Sequence, residues 1–441
     1  MNDMIRFLAL SMLTFGWSVA LADDWPQWMG PERDAIWREA GIIESIPDDG
    51  LPVKWRAKVG IGYGGPAVVG DRVFVMDYVV AEGEVTNNPG GATALQGKER
   101  VLCLSAQDGS PIWEHAYDQP YNISYPGGPR CTPTVADGKV YTCGAEGEFR
   151  CLDAGSGKLV WKKTLPKEYS AKTPIWGYAS HPLVDGDFVF VIAGGPGSEC
   201  VALQKDTGKE VWRAMTASEP GYGPPTMIEH AGRKQLLIWH PDAINGLDPA
   251  TGKVYWSLPI KAGFGMSINA PRKLDNLLYI SAIGDVSALI RLSDDEPGAE
   301  FVWQGKSKTS VYCSNSTPFL MDGIIYGCDI ETGALMAARL SDGERLWQTT
   351  EPTDKNPRRS RHATAFLVKH EQRFFLFNEL GDLILALLSP DGYIEQGRFH
   401  VLEPTNEAFG RPVVWSHPAF ANKSMFARND KELVCVDLAT K

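Results

Sequence analysis

The chain has 441 residues, of which 44% are hydrophobic and 22% charged, the mix of an ordinary globular protein; a disordered or coiled-coil chain is excluded. Lys and Arg number 43 against 54 Asp and Glu, a net charge of −11, and no basic stripe interrupts it, which excludes nucleic acid as a partner. The unusual counts are 45 Gly, 30 Pro and 14 Trp: evenly spread Gly and Pro mean many tight turns, and so many tryptophans call for a repeated reason.

Residues 1–22 read as a secretory signal. Arg6 gives a thin positive start, Phe7 to Ala20 is apolar, and Ala20-Leu21-Ala22 is an A-x-A cleavage site. The apolar run is shorter than the ~20 residues a membrane span needs, and no Cys stands at the cleavage point to carry a lipid. The expectation is an exported protein, periplasmic or extracellular, without a transmembrane segment in the mature chain. Residues 23–50 form a leader segment before the repeats begin.

From residue 51 onward one phrase recurs: a short apolar strand, a turn with Gly, and a strand ending in Trp. It runs from Cys103 through Asp108-Gly109 to Trp113, from Cys151 through Ser156-Gly157-Lys158 to Trp161, from Ala202 through Thr207-Gly208-Lys209 to Trp212, and from Gly246 through Thr251-Gly252-Lys253 to Trp256. A looser copy spans Ala288 to Trp303, and another ends Ser341-Asp342-Gly343 to Trp347. The seventh, around Pro390-Asp391-Gly392, has lost its Trp. The eighth begins at Val434-Cys435-Val436-Asp437 and stops, while Leu51 to Trp55 is a Trp-ending strand with nothing before it. The N-terminal strand therefore completes the last repeat, which closes a ring and removes its open sheet edges.

A second phrase is interleaved with the first. Strands beginning at Pro66, Pro133, Pro182, Pro225, Pro271, Pro318, Ala365 and Pro418 each lead into a hairpin turn such as Asp137-Gly138 or Asp322-Gly323. Two hairpins per repeat make a four-stranded blade, and eight blades over residues 51–441 average about 49 residues, within the range of propeller repeats. The expected fold is all-β, one eight-bladed β-propeller domain of four-stranded antiparallel blades over 51–441. Trp55, Trp113, Trp161, Trp212, Trp256, Trp303 and Trp347 share one repeat position and are expected to be structural, pinning neighbouring blades. The long interval before Trp113 contains residues 79–98, read as a loop inserted in the first blade.

The A/D-x-x-T-G-K-x-x-W phrase resembles the pyrroloquinoline-quinone (PQQ) type propeller repeat, found in quinoprotein alcohol dehydrogenases and in BamB-like outer-membrane assembly factors. Asp24-Trp25-Pro26-Gln27-Trp28-Met29-Gly30-Pro31, the Tyr125 to Pro133 stretch and Glu219-Pro220-Gly221-Tyr222 resemble segments of exported PQQ-like propellers of planctomycete-type bacteria. The resemblance implies the fold over residues 51–441 and leaves the activity open.

In a propeller the loops joining successive blades converge on the channel mouth. Here they carry Tyr63, Tyr121, Tyr125 and Arg130; Trp176, Tyr178 and His181; Tyr222; Phe264, Met266 and Asn269; Tyr312 and Asn315; Arg358, Arg359, Arg361 and His362; and Arg411, Trp415 and His417. Aromatic walls with a few polar tips suit a ligand pocket; the same rings can instead cap the tunnel and bond strand ends. Arg130, Arg361 and the histidines suit an anionic ligand. His181, His362 and His417 come from separate blades, so no metal site is expected of them.

For a quinoprotein the resemblance implies calcium, an Asp base, and PQQ stacked between a Trp and a disulfide of adjacent Cys. Calcium wants six or more oxygens, whereas the nearest loop carboxylates are Glu219 and Asp118, and no Cys-Cys pair exists. Cys103, Cys151 and Cys435 share a small-residue core slot; Cys131 with Cys143, and Cys313 with Cys328, stay open as either bridges or buried thiols. The T-G-K turns echo the end of a P-loop but lack its leading Gly and following helix. The functional expectation is a monomeric, non-catalytic binding or scaffold protein that holds a protein segment or small ligand at the funnel or rim loops, with no confident cofactor. The alternative is a PQQ-dependent quinoprotein dehydrogenase or another funnel-sited enzyme.

Overall fold

The structure is a computed structural model that describes residues 23–354 and 361–440. Eight four-stranded antiparallel sheets follow one another along the chain and form an eight-bladed β-propeller. Blade one, for example, is built from Ala67–Val69, Arg72–Glu82, Thr93–Ser105 and Pro111–Asp118. Its innermost strand adjoins those of blades two and eight. The ring is closed by Val53–Lys58, which pairs antiparallel with Glu432–Asp437 and sets Trp55 opposite Cys435.

The blades are held to one another by a single recurring device. Each outer strand carries one extra residue just before its Trp: Leu104 faces Pro111 and Cys103 faces Trp113, leaving Ile112 unpaired. Such a bulge bends and twists the strand. The indole then donates its Nε1–H to a carbonyl of the next blade, and Trp55, Trp113, Trp161 and Trp212 lie tightly over the Gly of that blade's outer turn. The acceptors are Ala106 O for Trp55 (2.9 Å), Ala154 O for Trp113 (3.0 Å), Lys205 O for Trp161 (2.9 Å), Pro249 O for Trp212 (3.0 Å), Leu340 O for Trp303 (2.9 Å) and Ser389 O for Trp347 (2.8 Å). Gly is required in the turn on two counts. Gly208 has φ +68°, and a Cβ there would stand 2.6 Å from the Trp161 ring.

Trp256 is the exception, donating to Gln235 Oε1 (2.8 Å). The turn it would meet is the lengthened one at Asp294 to Gly298 in the fifth repeat, so the indole finds its acceptor inside its own blade.

The seventh blade shows why its Trp is missing. Gly397 faces Leu385 next to the same register shift, the place Trp347 takes opposite Ala337 in blade six. The turn that the seventh blade's Trp would meet would join Asp437 to Pro52, but Glu432–Asp437 and Val53–Lys58 are the last and first strands of the chain and no hairpin turn connects them. Ile46 of the leader lies over Gly397 instead, 2.9 Å from where a Cβ would stand.

Residues 79–98 are not simply a loop. The two middle strands of blade one continue through most of the segment, paired out to Glu82 and Gln96, and Thr93–Leu95 takes Tyr121–Ile123 as a further strand. Val79, Val80 and Ala81 have the β-branched and apolar character to extend the strand, so only residues 83–92 form the tip. A second insertion, the hairpin Asn406–Ala408 with Arg411–Val413, stands between blades seven and eight. Expected features at residues 1–22, and Arg358 and Arg359, lie outside the described residues. Among those described, no helix is long and apolar enough to cross a membrane.

Replacing Trp161 by Ala should destabilise the protein by about 3–5 kcal/mol, read as a lowered urea midpoint. Restoring a Trp at the seventh repeat, Gly397→Trp, should also lower the midpoint, because Ile46 occupies the space and no turn receives the indole. A gain in stability from that substitution would contradict this account of the seam.

Candidate functional site

The leader closes one face. It runs across the side bearing the first-hairpin turns and touches successive blades: Trp25 bridges Val68, Val135 N donates to Pro26 O (2.8 Å) and Trp37 N to Lys369 O (2.8 Å), and Ile42 bridges Ala439. Met29, Arg33 and Ala35 have positive φ of 62°, 53° and 59°, a left-handed backbone that non-glycine residues hold only when their surroundings impose it. The imposition is visible. Arg33 donates to Pro182 O (3.0 Å), and Arg272 donates to Arg33 O (3.1 Å) and Asp34 O (2.9 Å).

Between these anchors Trp28 enters the channel. It is 4% exposed, stacks on His181 with centroids 4.8 Å apart and planes at 11°, and meets His417 edge-on at 5.7 Å. His417 in turn packs on Phe366 at 4.0 Å, beside a cavity of about 20 Å3. His181 Nδ1 accepts the Thr132 N–H (3.0 Å), so its proton sits on Nε2 when the ring is neutral. Desolvation pulls His181 well below its ordinary value and His417 to about 3. The two Ser-His-Pro histidines are thus neutral packing partners for the leader, and they do not face the junction-loop mouth.

The opposite face keeps a wall of rings. Tyr125 lies 6.2 Å from Trp415, Phe409 lies 6.3 Å from Trp415, and His362 stacks on Phe409 at 4.5 Å and 11°. Glu379 organises this wall. Its carboxylate, buried behind the hairpin, accepts from Arg411 Nε (2.7 Å) and Nη2 (3.3 Å) and from Trp415 Nε1 (2.9 Å). Burial raises its pKa, and Arg411 works against that rise. The wall borders a groove of about 750 Å3 between the 83–92 tip and the 406–413 hairpin, with Tyr125, Gly127, Phe409 and Asp430 among its lining.

The remaining sequence candidates divide. Trp176 and Tyr222 form a second ring pair at 5.9 Å. Tyr178 is buried and donates to Ala193 O (3.0 Å); Asn269 is buried and donates to Ser281 O (3.2 Å); Asn315 donates to His362 O (3.2 Å). Tyr178 and Asn269 tie loops to strands, and Asn315 ties one junction loop to the next. The cations proposed for an anion are engaged: Arg130 donates to Gly128 O, Ser124 O and Tyr125 O, and Arg361 pairs with Glu331 (2.8 Å).

The buried carboxylates around these loops were not among the loop candidates, because they stand within strands or directly after them. Glu379 follows the second strand of blade seven, the place Asp329 holds in blade six; aligning the repeats at that position would have found both. Asp329 pairs with Arg345 (3.3 Å). Glu99 accepts from Tyr117 (2.5 Å), Tyr121 (2.6 Å) and Ala145 N (2.8 Å). Glu199 differs: it accepts only a long bond from Gly221 N (3.4 Å), Oε2 has no partner, and burial pushes its pKa to about 8.

Among the described residues no group of three or more His, Cys, Asp or Glu side chains is placed to hold a metal ion. The donor set for a calcium-held quinone, several converging oxygens with charge to spare, is not what these carboxylates form, since Glu99, Asp329 and Glu379 each spend theirs on a neighbour. All eight Cys are free and buried; Cys131 donates to Ser180 O (3.3 Å).

Fold and repeat together define an eight-bladed propeller with PQQ-type blades. The chain belongs to the family described as outer membrane protein assembly factor BamB, whose profile matches residues 97–349. It is 26% identical over 169 residues to a quinoprotein ethanol dehydrogenase of Pseudomonas aeruginosa, covering 35% of this chain and 26% of that protein. It is 29% identical over 126 residues to the outer membrane protein assembly factor BamB of Salmonella typhimurium, covering 28% of this chain and 29% of that one. The matched stretches thus span less than a third of either relative. Among solved structures, the quinohemoprotein alcohol dehydrogenase of Comamonas testosteroni superimposes with a TM-score of 0.60 at 13% identity, covering 95% of this chain and 81% of that one; at that identity the likeness is one of fold.

The perturbed groups predict two opposite pH limbs. His417 and His362 take up protons near 6.5 when unfolded, but only at about 3 and about 4 when folded. Their contribution is full above 6.5 and lost as pH falls toward those values. Glu199 ionises near 4.5 unfolded and at about 8 folded, so its contribution is full below 4.5 and lost as pH rises through 8. Calorimetry should therefore find that Glu199→Gln gains on the wild-type Tm between pH 5 and pH 8.5, and that His417→Gln flattens the acid limb below pH 6.5. Parallel Tm curves for wild type and both variants would refute these assignments.

Proposed function

We propose that the protein is exported and acts as a binding or scaffold propeller without catalytic chemistry of its own, holding its ligand or partner at the junction-loop face. One observation carries the reading. That face keeps a groove of about 750 Å3 beside the Tyr125, Trp415 and Phe409 rings, whereas the leader covers the other face and fills the channel with Trp28. Most ionisable groups around the wall are bound to one another, which suits a rigid binding surface more than proton transfer. The signal-like residues 1–22 support export, and membership of the BamB-described family supports a role in holding other molecules.

A second reading, a funnel-sited enzyme, has two supports: the similarity to quinoprotein dehydrogenases, and Glu199, whose buried carboxyl leaves Oε2 without a partner and holds its proton at neutral pH. The two readings separate in one assay. Purified protein incubated with PQQ and calcium should show no retained quinone absorbance and no dye-linked oxidation of alcohols or sugars. A retained quinone with turnover that Glu199→Gln abolishes would establish the enzyme instead.

A further inference from the structure

The rings beside the groove are held in place by an imposed backbone as well as by packing. Tyr125 and Phe409 both line it, and both have a left-handed backbone, φ 49° and 52°, which bulky residues keep only when their surroundings impose it. The imposition has named sources. Arg130 donates to the carbonyls of Ser124, Tyr125 and Gly128, which fixes the turn that carries Tyr125. Arg411 places its guanidinium 5.9 Å from the Phe409 ring centre and is itself clamped by Glu379. His362 stacks on Phe409, yet Phe409 remains 48% exposed. Trp415 links the two rings, 6.2 Å from Tyr125 and 6.3 Å from Phe409, so the ring surface is longer than one aromatic side chain.

The polar groups that reach the same groove are of mixed kind. Thr86 is exposed, and neither its hydroxyl nor that of Tyr125 is bonded to another described residue. Lys431 supplies donors and Glu407 acceptors along the lining. A ligand rich in hydroxyls matches such a set, because every hydroxyl both donates and accepts. An anion is opposed by Glu84, Glu407 and Asp430. A polyproline segment also uses ring-lined grooves, but its carbonyls need a donor beside the rings, and the indole N–H of Trp415 is already given to Glu379 (2.9 Å). The face of a sugar ring is made of C–H groups with partial positive charge, the complement of the negative face of an aromatic ring. The groove volume of about 750 Å3 is within the usual range for small-ligand sites.

We propose that this groove binds a neutral carbohydrate chain, with one sugar ring laid on Phe409, another on Tyr125, and their hydroxyls bonded to Tyr125 Oη, Thr86 Oγ1, Glu407 and Lys431. The proposal rests on the binding reading above and names the ligand class of that same face. It replaces the anion expected from sequence, because Arg130 is spent on carbonyls and Arg361 on Glu331. Phe409 and Tyr125 are held in place before a ligand arrives, so little ordering is left for binding to impose.

The test is calorimetric titration of the full chain with neutral hexasaccharides of glucose, mannose, xylose and galactose, and with a proline-rich peptide as the competing occupant. At least one hexasaccharide should bind, more tightly than its monosaccharide and with an affinity unchanged as NaCl is raised. Phe409→Ala, checked for an unchanged Tm, should weaken it about tenfold or more, and Phe409→Tyr should retain it. Ile394→Ala, which removes an exposed apolar side chain from the outer strand of blade seven, should leave the affinity as it is. Three results would overturn the proposal: no hexasaccharide bound at millimolar concentration, an affinity that collapses with salt, or equal affinity in wild type and Phe409→Ala. Peptide binding without sugar binding removes only this inference and keeps the binding reading, whereas quinone-dependent turnover in the preceding assay overturns that reading.

Discussion

Everything in this fold depends on the contact between one blade's tryptophan and the next blade's turn. A single blade is a four-stranded sheet with two apolar faces, and it cannot bury both alone. The bulge before each Trp, the Gly that Trp55, Trp113, Trp161 and Trp212 cover and the carbonyl that takes the indole proton are three parts of one joint. The joint is repeated because the burial problem is repeated. It accounts for the high Gly and Trp counts together: the ring of Trp161 needs the space that only Gly208 leaves. It also explains where the pattern fails. A ring must be entered and left somewhere, and the entry point, between Asp437 and Pro52, removes one turn. The Trp facing that gap has lost its acceptor, Gly397 stands in its place, and the leader supplies Ile46 as substitute packing.

The leader therefore does two structural jobs. At its C-terminal end it repairs the seam, and at its N-terminal end it fills the channel. The second has a functional consequence. With Trp28 set between His181 and His417, the channel is not open from the leader's side, and residues that a loop-by-loop reading places in one funnel are separated into two environments. Desolvated histidines lie under the leader; ring-lined, charge-bearing loops lie on the far side. A ligand approaching the junction-loop face meets the Tyr125, Trp415 and Phe409 surface and the two hairpins, with neither Ser-His-Pro histidine within that groove.

The fold was legible in the sequence because repetition multiplies a weak signal. One strand-turn-Trp phrase is ambiguous, whereas eight in a consistent order with an orphan strand at each end admit few arrangements. The sequence put Tyr125, His362 and Trp415 in one funnel with His181 and His417, whereas their rings meet through Phe409, apart from the histidines under the leader. The roles of other candidates were not legible. Whether Arg130 is a free cation depends on three carbonyls of its own loop, and whether His181 is a ligand depends on a leader more than 140 residues away in sequence. Glu379 was missed because it directly follows a strand, and its partner Arg411 lies in an inserted hairpin between blades seven and eight.

That insertion shows how one repeat among eight acquires a distinct surface. Blade interiors are interchangeable, since each must present the same faces to its neighbours, so difference can accumulate only where the chain leaves the ring. Two such places, the extended hairpin of blade one and the hairpin between blades seven and eight, flank the seam blade. They meet through Asn87 and Asn406, while Glu379 fastens the second hairpin to blade seven through Arg411 and Trp415. The groove is thus assembled from the two departures from the repeat and anchored to the invariant ring by one buried carboxylate. The junction of blades seven, eight and one thereby carries a surface built from segments outside the repeat.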